Sequence, residues 1–286
     1  MSELTPELGP VTEAVVTDSV RITRPDRDEV RRITVRIDDP AFRYAAGQTI
    51  GVVVPGPHPL GNPYHTRRYS IASGRRGDGD GAAELELLVR RCFYVDDVSG
   101  ESYPGIASNY LCDALPGQVL TITGPYRSPF RVPADDRSNL LMIGTGTGVA
   151  PFRGLIQAIY REHGEWRGLV RLYYGARNGM DLLYENDEQD DLVNYYDKAS
   201  FEAFRHILTR PLASEADMLE ATIADHAREV WGLMQAPATY VYLAGLGKVA
   251  ERFDKVMEGV APSPVAWREA RERLREQGRW SELVYN

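Results

Sequence analysis

The stretch Leu140-Leu-Met-Ile-Gly-Thr-Gly-Thr-Gly-Val-Ala-Pro-Phe152 constrains this chain more than any other. Four apolar residues run into glycines at 144, 146 and 148, and a helical pattern follows from Arg153 to Arg161. That order reads strand, tight turn, helix. Glycine opens backbone angles closed to other residues and lets a ligand approach the main chain. The helix start beyond it offers unpaired N–H groups and a positive dipole end, which suit a phosphate. Pro151 falls where a helix start tolerates proline. The spacing Gly144-x-Gly146-x-Gly148 differs from the G-x-G-x-x-G dinucleotide fingerprint, and a βα turn without a ligand has the same outline. The rest of the chain has to decide between them.

Upstream of this stretch the chain reads as strands. Val11–Thr23, Val30–Ile37, Gln48–Pro55, Arg67–Ser73, Glu84–Cys92 and Val119–Thr123 are rich in valine, isoleucine and threonine, with turn residues between them. Such a run, mostly without long intervening helices, predicts an antiparallel β-barrel. Gly56–Pro63 and Gly74–Gly81 read as loops, the second as a hairpin tip. Pro-Ala-Asp-Asp-Arg-Ser-Asn at 133–139 breaks the pattern. Strands over Leu140–Ile143, Val170–Gly175, Phe204–Leu208 and Thr239–Leu243 then alternate with helices. The helical stretches are Phe152–Glu162, Glu185–Tyr195, Ser214–Met234, Lys248–Glu258 and Val265–Gln277. This predicts a parallel, Rossmann-like α/β sheet. The expected division is a loose tail over 1–10, a barrel domain over 11–134 and an α/β domain over 135–286. A ligand cleft is expected at the carboxyl ends of the parallel strands, along the seam between the two.

Composition narrows the function classes. The 286 residues carry 33 basic and 41 acidic side chains, a net charge of −8, which argues against general affinity for nucleic acid or an anionic membrane. Lysine occurs only at 198, 248 and 255, so arginine supplies 30 of the 33 basic residues. Arginine suits bidentate phosphate contact. Cys92 and Cys112 are the only cysteines, too few for an iron–sulfur cluster and unlike a secreted disulfide framework. No metal site is expected. Met1 to Pro10 lacks the basic start and apolar run of a secretion signal, and no apolar run is long enough to span a membrane. The reading is a cytoplasmic protein with reduced thiols.

Two stretches in the first half complete the picture: Arg67-Arg68-Tyr69-Ser70-Ile71-Ala72-Ser73 and Gly105-Ile106-Ala107-Ser108-Asn109-Tyr110-Leu111. With Gly144–Phe152, they resemble the plant-type ferredoxin–NADP⁺ reductase family, in the family's order and roughly its spacing, from about Tyr44 to the C-terminus. The resemblance implies an FAD-binding barrel and an NADP-binding α/β domain. The implied reaction is hydride transfer between nicotinamide and flavin, then single-electron exchange with a small carrier protein, ferredoxin or flavodoxin.

The resemblance also implies site residues. Arg67 would hold the FAD pyrophosphate, Tyr69 would pack on the isoalloxazine ring, and Ser70 would bond near flavin N5. Tyr94 would stack on the adenine, and Arg90 would lie near the pyrophosphate or the carrier; a strand end with a solvated arginine pair is the alternative for Arg90 and Arg91. Gly105, Ile106, Ala107 and Ser108 match the loop that opens a short helix at the pyrophosphate, whereas Asn109 and Leu111 read as structural. Gly144, Thr145, Gly146, Thr147 and Gly148 would cradle the nicotinamide dinucleotide, with Pro151 and Phe152 shaping the turn. Thr209 and Arg210 match the position for the 2′-phosphate, and Gly245 and Leu246 match a glycine turn at the ribose or adenine. Tyr285 corresponds to the aromatic that covers the flavin face.

Several positions depart from the family. Ala107 and Ala244 stand where it has cysteines. Ala216 and Met218 replace its lysine and tyrosine for the 2′-phosphate, leaving Ser214 or Arg228 as substitutes and NADH as an open alternative. Leu283 stands where a glutamate is usual; Glu282 is one place off, on the opposite face of a strand. A reductase component of an oxygenase or epoxidase system, or a non-catalytic FAD-bound subunit, are the other readings. Arg67, Arg68, Arg75, Arg76, Arg90 and Arg91 are candidates for a basic rim facing the carrier. Oligomeric state is not legible.

Overall fold

Alternate apolar residues of the N-terminal strands pack into one core, and this period of two builds the first half of the molecule. The computed structural model describes residues 8–23, 25–58, 62–74, 76–77, 81–96, 98–162, 164–175, 200–205 and 214–285. Strands β1 (Val11–Arg21), β2 (Val30–Ile37), β3 (Thr49–Pro55), β4 (Tyr64–Ser70), β5 (Arg76–Gly77), β6 (Ala83–Arg90) and β9 (Val119–Tyr126) form one antiparallel sheet in the order β4-β3-β9-β1-β2-β6-β5. Ala14 and Val16, Ile33 and Val35, Ile50 and Val52, Leu85 and Leu87, and Leu120 and Ile122 fill its inner face. The sheet curls until the chain beyond β4 meets β6. Ile71 bridges to Leu87, and the Ala72 amide donates to the Glu86 carbonyl at 2.7 Å. A short ribbon, β7 (Phe93–Val95) with β8 (Ser102–Pro104), leads into helix α1 (Ile106–Cys112), which packs against β3, β4 and β6 with Leu111 and Cys112 buried.

The second half is a parallel sheet. Its strands are β10 (Asn139–Thr145), β11 (Val170–Gly175), β12 (Phe201–Arg205), β13 (Thr239–Leu246) and β14 (Trp280–Tyr285), in the order β12-β11-β10-β13-β14. The chain winds outward one way from β10 and then returns to its other side at β13. Such a reversal is where a ligand crevice is expected, at the carboxyl ends of β10 and β13. A 3₁₀ turn (Gly146–Val149) leads into helix α2 (Ala150–Glu162) on one face of the sheet. Helices α3 (Glu215–Asp225), α4 (Ala227–Gln235), α5 (Lys248–Val260) and α6 (Pro264–Glu276) contribute to a second core with Leu141, Ile143, Val241 and Leu243.

Most expected elements are found, with shifts that have local causes. The third parallel strand is Phe201–Arg205, three residues before its expected start at 204. The helical pattern over 214–234 is two helices, because His226 takes a non-helical conformation (φ −114°, ψ 13°) between Asp225 and Ala227. Ser214 starts the first of them with a capping box, accepting from the Asp217 amide while Asp217 accepts from the Ser214 amide. The last strand, Trp280–Tyr285, over which the sequence places Glu282 and Leu283 on opposite faces, pairs with β13 in parallel. The helix expected over 185–195 lies outside the described residues.

The two halves share one core. Ile22, Val30, Ala72, Leu88 and Phe130 from the barrel side pack with Val149, Phe152, Leu155, Ile159 and Tyr242. Helix α2 is the contact. Arg153 is fully buried, and its Nη1 donates to the Glu86 carboxylate on β6 and, at 3.0 Å, to the Ala72 carbonyl. Glu86 also lies 3.9 Å from the largely buried Arg32. One turn on, Gln157 accepts from the Gly74 amide at 3.1 Å. Between them Gly154 permits the approach, since a Cβ there would sit 2.9 Å from the Ser73 carbonyl oxygen. Removing one partner of a buried ion pair strands the other charge. Glu86→Ala is therefore expected to cost about 3–5 kcal/mol in urea denaturation, part of it recovered when Arg153→Met is added. A loss below about 1 kcal/mol, the scale of an exposed pair, would show that the pair does not hold the halves together.

Candidate functional site

The glycine turn lies at the reversal point of the parallel sheet. Gly144 and Thr145 end β10, and Gly146 (φ 52°) begins the 3₁₀ turn that carries Thr147 and Gly148. Helix α2 thus starts one turn later than a direct strand-to-helix turn would place it, with Pro151 and Phe152 in its first turn. The turn is backed by the end of β13. A Cβ on Gly148 would fall 2.7 Å from both the Ala244 carbonyl oxygen and Gly245 Cα. Gly245 (φ 137°) faces Thr145, whose Oγ1 would lie 2.4 Å from an added Cβ. Two main chains therefore touch at the head of the crevice, a construction only glycine allows. Leu246, beyond Gly245, is 42% exposed, and the Tyr285 backbone pairs with it.

A second group of residues gathers on the barrel. Strand β4 is a sheet edge, with Arg67 opposite Val52, Tyr69 opposite Ile50 and Ser70 opposite Thr49. Arg67 is exposed, and Tyr69 packs against the barrel core. Burial pushes the Tyr69 phenol well above its ordinary range, against the opposing pull of the nearby Arg67 cation. Tyr69 is thus a neutral ring at any physiological pH. Cys92 and Cys112 are close enough to add to that upward push. Cys92 in turn holds the start of α1: the Gly105 amide donates to its carbonyl at 2.9 Å, and its own amide donates to Ser108 Oγ at 3.2 Å. The Ser108 hydroxyl donates to the Gly105 carbonyl at 3.3 Å, so that side chain is committed locally. No side chain caps the helix at Gly105, which leaves the amides of Ile106, Ala107 and Ser108 as the donors of the first turn. Tyr69 and the start of α1 are thereby drawn together through Cys92.

The arginine pair at the end of β6 is split. Arg91 is held by Glu29 at 2.8 Å, Asp113 at 2.7 Å and the Asn109 side-chain oxygen at 2.9 Å. Burial, the largest influence on Glu29, would raise its carboxyl, but bonds from Arg91 and Arg31 outweigh it and hold Glu29 below its ordinary value. Arg91 is thus a structural clamp, and Asn109, which also donates to the Cys92 and Gly105 carbonyls, is structural as expected. Arg90 is half-buried opposite Val30. Arg68 lies over the Tyr126 ring, 4.0 Å from its centroid. Of the expected basic rim, Arg67, Arg68 and Arg90 remain among the described side chains. Tyr94 is 59% exposed on the β7–β8 ribbon.

The barrel group and the glycine turn are joined through β6. That strand packs against the 3₁₀ turn on one side and meets the chain leaving Ser70 on the other. The C-terminal strand approaches from the sheet. Leu283, opposite Ala244, packs into the shared core, whereas Glu282 accepts hydrogen bonds from Arg275 and from the Trp280 indole. The two neighbours thus occupy opposite faces, as their spacing requires. Ser214 is spent in its capping box, which removes it as a free hydroxyl for a phosphate. Thr209 and Arg210 lie outside the described residues. An open groove of about 710 Å³, lined by Glu220, His226, Arg228 and Lys255 among others, lies along the helices of the opposite sheet face and shares no residue with these turns.

Residues 142–255 match a family model described as an oxidoreductase NAD-binding domain. The chain is 31% identical over 97% of its length to a ferredoxin–NADP reductase of Thermosynechococcus vestitus, covering 73% of that protein. It is 32% identical over 93% of its length to a chloroplastic leaf isozyme 2 of ferredoxin–NADP reductase from Oryza sativa subsp. indica, covering 74% of that protein. The ferredoxin–NADP⁺ reductase of Plasmodium falciparum has a similar fold, with a TM-score of 0.71 at 17% identity over 96% of both chains.

Thiol chemistry offers a check on the barrel group. Burial pushes the Cys112 thiol up to about 11, so near pH 8 only about one thiol in a thousand is the reactive thiolate. Alkylation of the native chain at that pH is expected to modify exposed Cys92 and spare Cys112, with Cys112 labelled once pH approaches 11 or the chain unfolds. Equal labelling of both in the native chain at pH 8, read by peptide mass, would contradict the packing of α1 beneath Tyr69.

Proposed function

We propose that this chain, which belongs to the ferredoxin–NADP reductase family, carries electrons between NADPH and a small ferredoxin- or flavodoxin-type protein by way of FAD. The observation that carries this reading is the joining of two sites through one strand. The glycine turn at the sheet reversal and the Tyr69–Ser70 end of β4 are both anchored to β6.

The residues present fit both groups. Close main-chain contact at Gly148 and Gly245 leaves a head of bare backbone suited to a pyrophosphate. The uncapped amides at Ile106 and Ala107, together with the exposed Arg67, suit a second one. When bound, FAD supplies hydride acceptance and single-electron release. In this reading residues 11–134 hold FAD. Arg67 and the start of α1, from Gly105 through Ser108, grip its pyrophosphate, with Arg90 near it. Tyr69, kept neutral by burial, presents an uncharged ring to the flavin, and Ser70 offers a hydroxyl at the reacting edge. Tyr94 receives the adenine. Residues 135–286 hold the nicotinamide dinucleotide on Gly144 to Gly148, with Pro151 shaping the turn. Gly245 and Leu246 lie at its ribose or adenine, and Thr209 and Arg210 take the 2′-phosphate. Tyr285, at the end of β14, is the aromatic that yields to nicotinamide.

The carrier docks on the barrel edge near Arg67, Arg68 and Arg90. A falling rate of carrier reduction with rising salt, at constant NADPH oxidation by a neutral acceptor, is the expected sign. No helix among the described residues is long and apolar enough to cross a membrane. Cys92 and Cys112 are free thiols, which supports a cytoplasmic setting.

The purified chain is expected to be yellow and to bleach anaerobically with NADPH. Gly148→Val should abolish that bleaching while dithionite still reduces the flavin, because the new side chain meets Ala244 and Gly245. Arg67→Ala should weaken FAD binding about tenfold, the scale of one charge-assisted phosphate contact. A yellow chain that NADPH leaves oxidised would refute the proposal.

A further inference from the structure

The ribbon formed by β7 and β8 presents aromatic surface that the fold does not use. Phe93, Tyr94 and Val95 are each about 60% exposed, and Tyr103 is 39% exposed. Tyr94 and Tyr103 face each other across the ribbon and are already stacked, with ring centroids 5.4 Å apart and planes 22° from parallel. The Tyr103 hydroxyl donates to the Glu101 carboxylate at 2.5 Å. The loop that carries Glu101 is itself well tied. The Asp96 carboxylate accepts from the Val98 and Ser99 amides at 3.0 and 2.7 Å, the Asp96 amide donates to the Glu101 carbonyl at 2.9 Å, and the Gly100 amide donates to the Asp96 carbonyl at 2.8 Å. Solvated tyrosines on a surface ribbon would ordinarily sample several rotamers. Here one is pinned at its hydroxyl and lies against the other.

We propose that Tyr103 is a second positioning residue for the adenine end of FAD, holding Tyr94 in place so that the base stacks on a preassembled tyrosine pair. The inference rests on the reading of Tyr94 given above. The ring separation leaves no room for a third ring between the tyrosines, so the base takes the outer face. Tyr94 is the more exposed of the two and offers that face. The ribbon is also in the right place. Tyr103 is two residues from Gly105, where the start of α1 supplies amides for the pyrophosphate. A platform ordered before the ligand arrives spares the binding step the loss of side-chain freedom.

FMN provides the test because it ends at its phosphate and has no adenine. Apoprotein of the full chain is titrated with FAD and with FMN by flavin fluorescence. Tyr103→Ala is expected to raise the FAD dissociation constant about three- to tenfold, in keeping with the strength of an aromatic pair, and to leave that for FMN unchanged. Tyr103→Phe keeps the ring and loses the Glu101 bond, and should fall between Tyr103→Ala and the unaltered chain. Equal weakening of FAD and FMN by Tyr103→Ala would mean that the ribbon acts through the fold, and no weakening of either would mean that it does not brace Tyr94; both overturn the proposal. Tyr94→Ala separates the two levels. If it shifts the FAD-to-FMN ratio and Tyr103→Ala does not, the bracing role alone falls. If it leaves the ratio unchanged, the adenine assignment of Tyr94 falls, and the bracing role with it.

Discussion

The bond between Arg153 and Glu86 is the contact on which the arrangement of the two halves depends. Arg153 is fully buried and Glu86 nearly so, and taking two such charges out of water costs several kcal/mol each. Mutual attraction in the dry interior offsets part of that cost. Here the guanidinium also serves the Ala72 carbonyl, and Arg32 stands behind Glu86. Apolar side chains could have filled the same space. What a charged pair adds is direction: one orientation of α2 against β6 satisfies it, and a slid or rotated helix leaves ions unpaired.

Around that pair, two kinds of backbone opening are brought into register. At the head of β10 and β13, glycines let two main chains touch. At the start of α1, the absence of a cap leaves amides of the first turn without an intrahelical acceptor. Both openings suit anions, and the net charge of −8 over the whole chain makes such local donors the means of attracting them. In the function proposed above, side chains discriminate at the edges: Arg67 and Tyr69 on β4, Leu246 beyond Gly245, and the C-terminal strand beside it.

Much of this was legible from residue order. The glycines at 144, 146 and 148 and the strand-like alternation before them indicated a barrel followed by an α/β sheet, and the parity of Glu282 and Leu283 put them on opposite faces of β14. What escaped was long-range. Arg153 reads as one more helical arginine until Glu86, 67 positions upstream, is seen against it. Arg91 reads as a partner to Arg90 until Glu29 and Asp113 claim it. Ser214 reads as a possible phosphate contact, yet its hydroxyl is committed to Asp217; the S-x-x-D spacing, a variant of the capping-box signature, could have signalled this. The strand near 201–205 was misplaced because its apolar content does not mark its start, and pairing with β11 does.

The shared core has a consequence for how such proteins can be recombined. Val149, Phe152 and Leu155 lie in one buried cluster with Ile22, Val30, Leu88 and Phe130, so separating the halves would uncover part of each. Neither half is therefore a self-sufficient cassette. A chimera that joins this barrel to a foreign dinucleotide module inherits a bare apolar face and an orphaned carboxylate unless the graft carries its own counterpart to α2.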